Sequence, residues 1–151
     1  MNNKKYINSS VMWMIVVIGF FLIFIFVPKF LMFSVSLYNF IIFFICMIVF
    51  LGMFYFSLKK NKEAVYGVDR ISNVVRNGIY SKIRHPIYVG DFILIVGMFI
   101  LFPMFSFFIS LFWVLFVLLF WMKLEEKLMI EKFGGEYIDY KKRVGMVFPR
   151  I

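Results

Sequence analysis

The sequence is poor in cysteine, proline and acidic side chains, with one, four and eight of them among 151 residues. A single cysteine excludes a disulfide within the chain, and Cys46, which lies in an apolar run, is interpreted as a core thiol. The 17 Lys and Arg residues outnumber the acids and leave a net charge of +9. Such an excess can indicate nucleic-acid binding, but the basic residues flank hydrophobic runs, which indicates orientation in a membrane instead. We therefore expect no nucleic-acid partner.

Apolar residues make up 64% of the chain, including 23 Phe and 11 Met. A soluble domain of this length has too little interior to bury so much apolar surface, whereas a bilayer replaces the missing core with lipid. Residues 1–151 are therefore predicted to form one integral membrane domain.

The first half of the chain holds two uncharged runs, 11–27 and 30–58. The first has 17 residues and is predicted to be a retained span rather than a signal peptide, because no small-residue cleavage site follows it. The second has 29 residues, which is more than one span needs. Its span is therefore placed at 37–58, and 30–36 is predicted to be a turn or an interfacial segment.

A third uncharged run, 92–122, has 31 residues. This is roughly 46 Å of helix at about 1.5 Å per residue, too long for one simple span. Pro103 lies near its middle, where a proline either kinks a helix or turns a hairpin. The loop 59–86 and the tail from Lys123 each carry seven basic residues, and the positive-inside rule favours both on one side of the membrane. A hairpin at Pro103 satisfies that rule.

The predicted fold is thus an all-α, multi-pass membrane protein with four transmembrane helices and a cytoplasmic helical tail. The last two spans, 87–102 and 104–122, form the proline-turned hairpin. Both termini are expected in the cytoplasm, and the membrane is expected to be a plasma membrane of bacterial type. The tail is predicted to begin as an amphipathic helix that continues the fourth span and ends at Gly134-Gly135.

Polar residues gather where the long loop reaches the third span, in the stretch G-I-Y-S-K-I-R-H-P-I-Y-V-G-D that begins at Gly78. Pro86 suits the first position of a helix and pushes the residue before it out of the α region. Arg84 and His85 are therefore expected to lie extended above a helix N-terminus, whose N–H groups and dipole favour an anion such as a carboxylate. Gly90 allows a ligand or a neighbouring helix to approach closely.

A second polar stretch lies beyond the fourth span, where Glu125 and Glu126 are adjacent. Adjacent residues on a helix point about 100° apart, so at most one of the two aims squarely into a site. The pattern F-G-G-E-Y-I-D-Y-K-K-R-V follows at 133–144, and Pro149 comes after it.

In this order the two stretches resemble the isoprenylcysteine carboxyl methyltransferase and phospholipid methyltransferase family. The family pattern is G-x-Y-x-x-x-R-H-P-x-Y-x-G, a hairpin of two spans, E-E, then F-G-x-E-Y-x-x-Y-x-x-R-V and a late proline. Every one of those residues is present here, over 78–149.

The resemblance implies S-adenosylmethionine as the methyl donor, held by 78–149. By position, it implies that six residues bind this cofactor: Tyr80, His85, Pro86, Tyr88, Gly90 and Glu125. It also implies that three residues lie nearest the transferred methyl group: Arg84, Glu126 and Arg143. Either glutamate of the pair fits the cofactor role, because the pattern does not separate them.

Methyl transfer from a sulfonium is an in-line displacement that needs no metal, so alignment and the exclusion of water are the main tasks. The acceptor is expected to be lipophilic, either a lipid or a group like an isoprenylcysteine carboxylate, and to arrive laterally, since the chain has little soluble structure. A carboxylate acceptor would need an arginine to hold it, whereas an amine would need a base. The sequence does not decide whether the acceptor group is a carboxylate, an amine, a thiol or another group.

Gly90-Asp91 favours an alternative, a membrane NADPH-dependent reductase similar to the sterol reductases, which often show R-H-x-N-Y-x-G-D. Pro86-Ile87 replaces the x-Asn pair of that pattern, and the double glutamate also favours the methyltransferases. Asp91 lies about one turn inside the third span, where a carboxylate is costly. We expect it to pair with Arg84 or to line the pocket.

Overall fold

The structure is a computed structural model that describes residues 9–150. The regular structure of this range consists of five α-helices and two short 3₁₀ turns: α1 (Ser9–Phe26), α2 (Leu37–Lys60), a turn at Lys62–Val65, a turn at Gly78–Ser81, α3 (Pro86–Leu101), α4 (Phe105–Phe133) and α5 (Gly135–Arg143). Within 9–150 the extended pairings are isolated bridges, and no β-strand is formed. The predicted all-α class is confirmed.

Three of the described helices, α1, α2 and α4, are long and apolar enough to cross a membrane. Helix α3 is apolar as well but has 16 residues. At about 1.5 Å per residue, α3 is roughly 24 Å long, whereas a typical span has about 20 residues and is about 30 Å long. The class of an all-α membrane protein therefore holds, while the count of four spans stays a prediction.

Three helices begin and end within two residues of the predicted spans 11–27, 37–58 and 87–102. The fourth predicted span, 104–122, lies in α4, which runs past residue 122 to Phe133 as one helix of 29 residues, as the predicted helical continuation of this span requires. Residues 123–133 continue the helix because one side of this segment is apolar and buried, and Met129 lies on that side. The helix stops at Gly134, whose φ of 57° is freely accessible to a residue without a Cβ.

The helices pack as two antiparallel pairs, α1 with α4 and α2 with α3. At one end, here called the turn end, the segment after α1 meets the α3–α4 turn. The Met32 amide donates to the Pro103 carbonyl at 2.8 Å, and the Phe105 amide donates to the Phe30 carbonyl at 3.0 Å. The opposite end, here called the pocket end, brings together the start of α1, the end of α2, the start of α3 and the C-terminal part of α4.

Helices α2 and α3 approach closely because small residues lie between them. A Cβ on Gly97 would come within 2.7 Å of the Cys46 Cβ, so a larger side chain does not fit without a shift of the helices. Nearer the turn end, the Asn39 side-chain amide donates to the Ile100 carbonyl at 2.8 Å, in the last turn of α3. This close interface positions the start of α3 at the pocket end.

The buried apolar core lies mainly between α1 and α4. Met12 and Val114 are fully buried in it, together with Val16, Leu118 and Trp121. The outward faces of α1, α2 and α4 expose large apolar side chains instead. In a membrane protein these faces are covered by lipid, so a small internal core suffices.

Residues 61–85 and 134–150 cover the pocket end and are called the cap. Loop and tail are joined there by an apolar cluster: Val68, Val74, Met129, Tyr137, Tyr140 and Val144. Polar contacts strengthen the join, because Lys132 Nζ donates to the Val68 and Asp69 carbonyls, each at 2.9 Å. The cap is therefore a packed structure rather than a loose loop.

The chain segment that leads into α3 runs beside the tail. Ile83 and Gly145 form a parallel bridge. The Arg84 amide donates to the Gly145 carbonyl at 2.9 Å, and the His85 amide donates to the Met146 carbonyl at 3.2 Å. His85 has φ −121° and ψ 60°, outside the α region, as the following proline requires.

Which end of the bundle faces the cytoplasm stays a prediction, and residues 1–8 lie outside the described range. We expect a cysteine introduced at position 30 or 104 to react with a membrane-impermeant reagent supplied from outside, in a chain whose Cys46 is replaced by serine. The reason is that 16 of the 17 basic residues lie in the N-terminal segment, the loop and the tail. A cysteine at the exposed Lys82 in the cap is the control and should react only from the cytoplasmic side. Labelling of 30 and 104 from that side alone would contradict the arrangement.

Candidate active site

A cavity of about 230 Å³ lies at the pocket end, between the helix ends and the cap. All five helices contribute side chains to its wall. Six of the nine residues that the motifs single out line it: Tyr80, Arg84, His85, Pro86, Tyr88 and Glu125. The other three, Gly90, Glu126 and Arg143, do not line the cavity.

Arg84 lies at the cavity wall and is the centre of a buried polar network. Its side chain is 6% exposed, and Nε and Nη2 both contact Glu126 Oε1, at 2.7 Å and 2.6 Å. Its Nη1 donates to the Lys141 carbonyl at 3.0 Å and also to the Val144 carbonyl. All three guanidinium nitrogens are thus engaged, and they join the start of α3 to α4 and to the end of α5.

Glu126 faces this network rather than the cavity. Its side chain is 4% exposed and pairs with Arg84 through Oε1, while Oε2 lies 2.7 Å from Lys141 Nζ. His85 Nε2 lies 3.5 Å from Oε1. Two cations around one buried carboxylate compensate the cost of removing it from water, so Glu126 holds the wall together.

Glu125 points the other way and lines the cavity. It accepts a hydrogen bond of 2.6 Å from the Tyr88 hydroxyl through Oε1, and its Oε2 lies 3.7 Å from His85 Nδ1. The rings of His85 and Tyr88 stack, with centroids 5.7 Å apart and planes 15° apart. His85 Nε2 is buried on the side of Glu126. This wall therefore offers a carboxylate and two ring faces.

Three tyrosines of the cap complete the wall. The Tyr140 hydroxyl donates to the Tyr80 carbonyl at 2.7 Å, and the Tyr137 and Tyr140 rings meet edge to face. Burial raises the pKa of Tyr80 to about 12. Burial likewise raises the pKa of Tyr137 and of Tyr140, although the nearby Arg84 cation lowers both in part. All three phenols stay protonated at neutral pH and act as neutral hydrogen-bond donors.

Pro86 and Gly90 have structural positions within α3. Pro86 is the first residue of the helix, as predicted, and also lines the cavity. A Cβ on Gly90 would lie 3.2 Å from the Met53 Cβ of α2, so this glycine faces the neighbouring helix. Of the two explanations that the sequence allows for Gly90, the structure favours close helix packing over contact with a ligand.

Arg143 is not brought to the cavity. It lies exposed at the end of α5, where its Nε donates to the Asp139 carbonyl one turn earlier at 3.2 Å. Of the two motif arginines, Arg84 is the one that joins the buried network with Glu126. A role for Arg143 beside the transferred methyl group stays a prediction that its position does not favour.

Several wall residues were not singled out from the sequence. Ser9 and Trp13 of α1 reach the cavity, and so do Phe54 of α2 and Asn73 of the loop. Their spacing carries no local signal, because only the packing of α1 against α4 and the fold of the cap bring them together. Asp91 lines the cavity, one of its two expected places, and Arg84 pairs with Glu126 rather than with Asp91.

These features define an all-helical membrane protein with a capped cavity, whose polar wall is formed by an R-H-P-x-Y turn and by one glutamate of an adjacent pair. Comparison with known families agrees with the resemblance of the motifs. The family model described as phospholipid methyltransferase matches residues 43–136. The match covers more than half of the chain, which therefore belongs to the phospholipid methyltransferase family.

Among characterised proteins, the chain is similar to protein-S-isoprenylcysteine O-methyltransferase of Saccharomyces cerevisiae, with 38% identity over 86 residues. The alignment covers 52% of this chain and 33% of the yeast protein, so this chain matches about a third of that relative's length. The membrane methyltransferase family predicted from the motifs is confirmed, and neither comparison supports the reductase alternative.

Proposed function

We propose that this chain is a methyltransferase that moves a methyl group from S-adenosylmethionine to a lipophilic acceptor. The observation that carries the proposal is the wall formed by His85, Tyr88 and Glu125. These residues come from two motifs separated by a whole helical hairpin, yet they meet on one side of a buried cavity. Membership of a methyltransferase family supports the same activity.

The residues of this wall fit S-adenosylmethionine. A carboxylate and aromatic faces attract a positively charged group, and stacked rings also accept a flat base. The wall offers both in Glu125 and in the His85–Tyr88 pair. When bound, the cofactor supplies an electrophilic methyl group on a sulfonium.

Arg84 and Glu126 are proposed as positioning residues. The Arg84 nitrogens are engaged by Glu126 and by two carbonyls of the tail, so this guanidinium is not free to hold an acceptor carboxylate. Their pairing fixes the backbone of His85 on one side and the direction of Glu125 on the other. The ligand-binding wall therefore depends on this ion pair, of which Arg84 lines the cavity and Glu126 does not.

The acceptor is proposed to be lipophilic and to reach the cavity from within the membrane. Trp13 of α1 and Phe54 of α2 belong to the cavity wall, while α1 packs on α4 and α2 packs on α3. An apolar chain could therefore lie between the two helix pairs with its reactive end in the cavity. The names of the matched family and of the yeast relative both refer to lipidic substrates, which is consistent with this route.

Binding of the cofactor tests the proposal directly. We expect the parent chain, purified in detergent, to bind S-adenosylmethionine in calorimetry. His85→Ala and Tyr88→Ala should each weaken that binding by at least about tenfold, or roughly 1.4 kcal/mol, because each removes a ring face and a polar contact from the wall. Insertion should survive, since neither residue makes up the apolar surface of a span.

Tyr38→Ala is the matched control for Tyr88→Ala. Tyr38 is 74% exposed near the turn end, so its removal should leave the affinity within about twofold of the parent. Parent-like affinity in both wall variants would contradict the assignment of His85 and Tyr88. Recovery of a bound nicotinamide from gently purified protein, identified by mass, would contradict the proposed activity itself.

A further inference from the structure

Asp91 is a buried carboxyl group that none of the contacts described above uses. It lies on α3, one turn beyond Tyr88, and lines the same cavity as Glu125. Only 8% of the residue is exposed, and its Oδ2 has no hydrogen-bond partner among the described residues. Buried carboxylate oxygens are normally bonded, so this atom lacks something that the protein does not provide.

The internal partner expected for Asp91 is engaged elsewhere, because Arg84 directs its guanidinium to Glu126 and to carbonyls of the tail. Within residues 9–150 no hydrogen bond to Asp91 Oδ2 is formed, and the cavity that Asp91 lines is the open space beside it. A ligand in this cavity is therefore the partner to consider.

A second buried polar residue belongs to the wall of the same cavity. Ser9 of α1 is buried and lines the cavity. Because Glu125 is also in the wall, two carboxyl groups line a cavity whose arginine is already paired. Such a lining favours a ligand group that donates hydrogen bonds, most of all a cationic one, and repels a carboxylate.

We propose that Asp91 is a ligand-binding residue, whose carboxylate accepts a hydrogen bond from an ammonium or hydroxyl group of the bound ligand. The inference rests on the proposed function, and two ligands could supply this group. One is S-adenosylmethionine, through its amino group or its hydroxyls, and the other is an acceptor that carries an amine. Asp91 thereby makes this part of the site favourable for a ligand group that donates a hydrogen bond and unfavourable for a negatively charged group.

The test compares two ligands and two substitutions. Asp91→Asn keeps the shape of the side chain and removes its charge, and Asp91→Ser is the second variant should the amide disturb folding. Calorimetry in detergent measures the affinity for S-adenosylmethionine, and the same method measures dodecylamine as the amine probe, with dodecanoate as its anionic counterpart. Asp139→Asn is the matched control, because Asp139 is exposed on α5 and its side chain pairs with Lys142.

A fall of at least tenfold in affinity for S-adenosylmethionine in the Asp91 variants would support the proposal and assign the group to the cofactor. An unchanged cofactor affinity with a fall of at least tenfold for dodecylamine, and none for dodecanoate, would support it and assign the group to the acceptor. Parent-like binding of both ligands in both variants would overturn it, while the parent's own binding of S-adenosylmethionine would leave the proposed function standing. A parent that binds no S-adenosylmethionine would overturn the proposed function, and it would overturn the role of Asp91 as well unless dodecylamine binding depends on Asp91.

Discussion

Replacing Arg84 by lysine is expected to lower methyl transfer by at least about a hundredfold, or roughly 2.7 kcal/mol of transition-state stabilisation. A lysine keeps the charge, but it cannot direct three nitrogens to Glu126 and to two tail carbonyls at once. The start of α3, the glutamate pair and the tail would then lose their common anchor. Incorporation of labelled methyl groups into a membrane extract, with S-adenosylmethionine as donor, measures the loss.

Two further arginine substitutions make this result specific. Arg70→Lys is the control, because the Arg70 side chain is 74% exposed and pairs with the surface Asp69, so activity should stay within about twofold. Arg143→Lys tests the role that the sequence motif suggests. From its exposed position we expect little change, whereas a loss equal to that of Arg84→Lys would restore Arg143 to the catalytic set. Parent-like activity in Arg84→Lys would contradict its anchoring role.

Glu126→Ala is expected to destabilise the protein by about 3–5 kcal/mol, the usual cost of removing one partner from a buried ion pair. The substitution leaves Arg84, which is 6% exposed, without its carboxylate and releases Lys141 as well. Because α3, α4 and α5 meet at this carboxylate, the cap should loosen from the helices. Thermal unfolding in detergent, followed by circular dichroism, measures the change in the midpoint.

The neighbouring glutamate should behave differently. Glu125 lines the cavity and is held by the Tyr88 hydroxyl, so Glu125→Ala should weaken cofactor binding more than it lowers the unfolding midpoint. Asp139→Ala is the stability control, because its ion pair with Lys142 is exposed and worth about 0–1 kcal/mol. Equal midpoints for Glu126→Ala and Asp139→Ala would show that the buried network does not hold the fold together.

Much of the fold follows from local sequence. Long apolar runs can satisfy their backbone only as helices in a bilayer, so the positions of α1, α2 and α3 could be placed to within two residues. Proline and glycine mark the breaks, since Pro86 starts α3, Pro103 lies in the hairpin turn, and Gly134 ends α4. These are properties of single residues and their neighbours, and they need no knowledge of distant contacts.

The continuation of α4 beyond position 122 also follows from local sequence, because its apolar side and Gly134 predict where the helix runs and where it ends. The glutamate pair on this continuation is different. Glu125 and Glu126 are equivalent by spacing, about 100° apart on one helix. Arg84 from before α3 and Lys141 from α5 select Glu126 for the network and leave Glu125 for the cavity.

The motif residues identify the family and six members of the cavity wall, because their side-chain types are tied to the chemistry of the site. Tertiary structure alone decides what each of them faces. Gly90 faces α2, Arg143 faces outward from α5, and Ser9 reaches the cavity only because α1 packs on α4. Asp91 shows the difference most plainly: the sequence places a costly carboxylate inside a span, and only the packed helices show that this residue lines the cavity and that its Oδ2 has no hydrogen-bond partner among the described residues. The direction in which a side chain points is set by contacts between segments that are distant in the sequence, and a local sequence pattern does not contain those contacts.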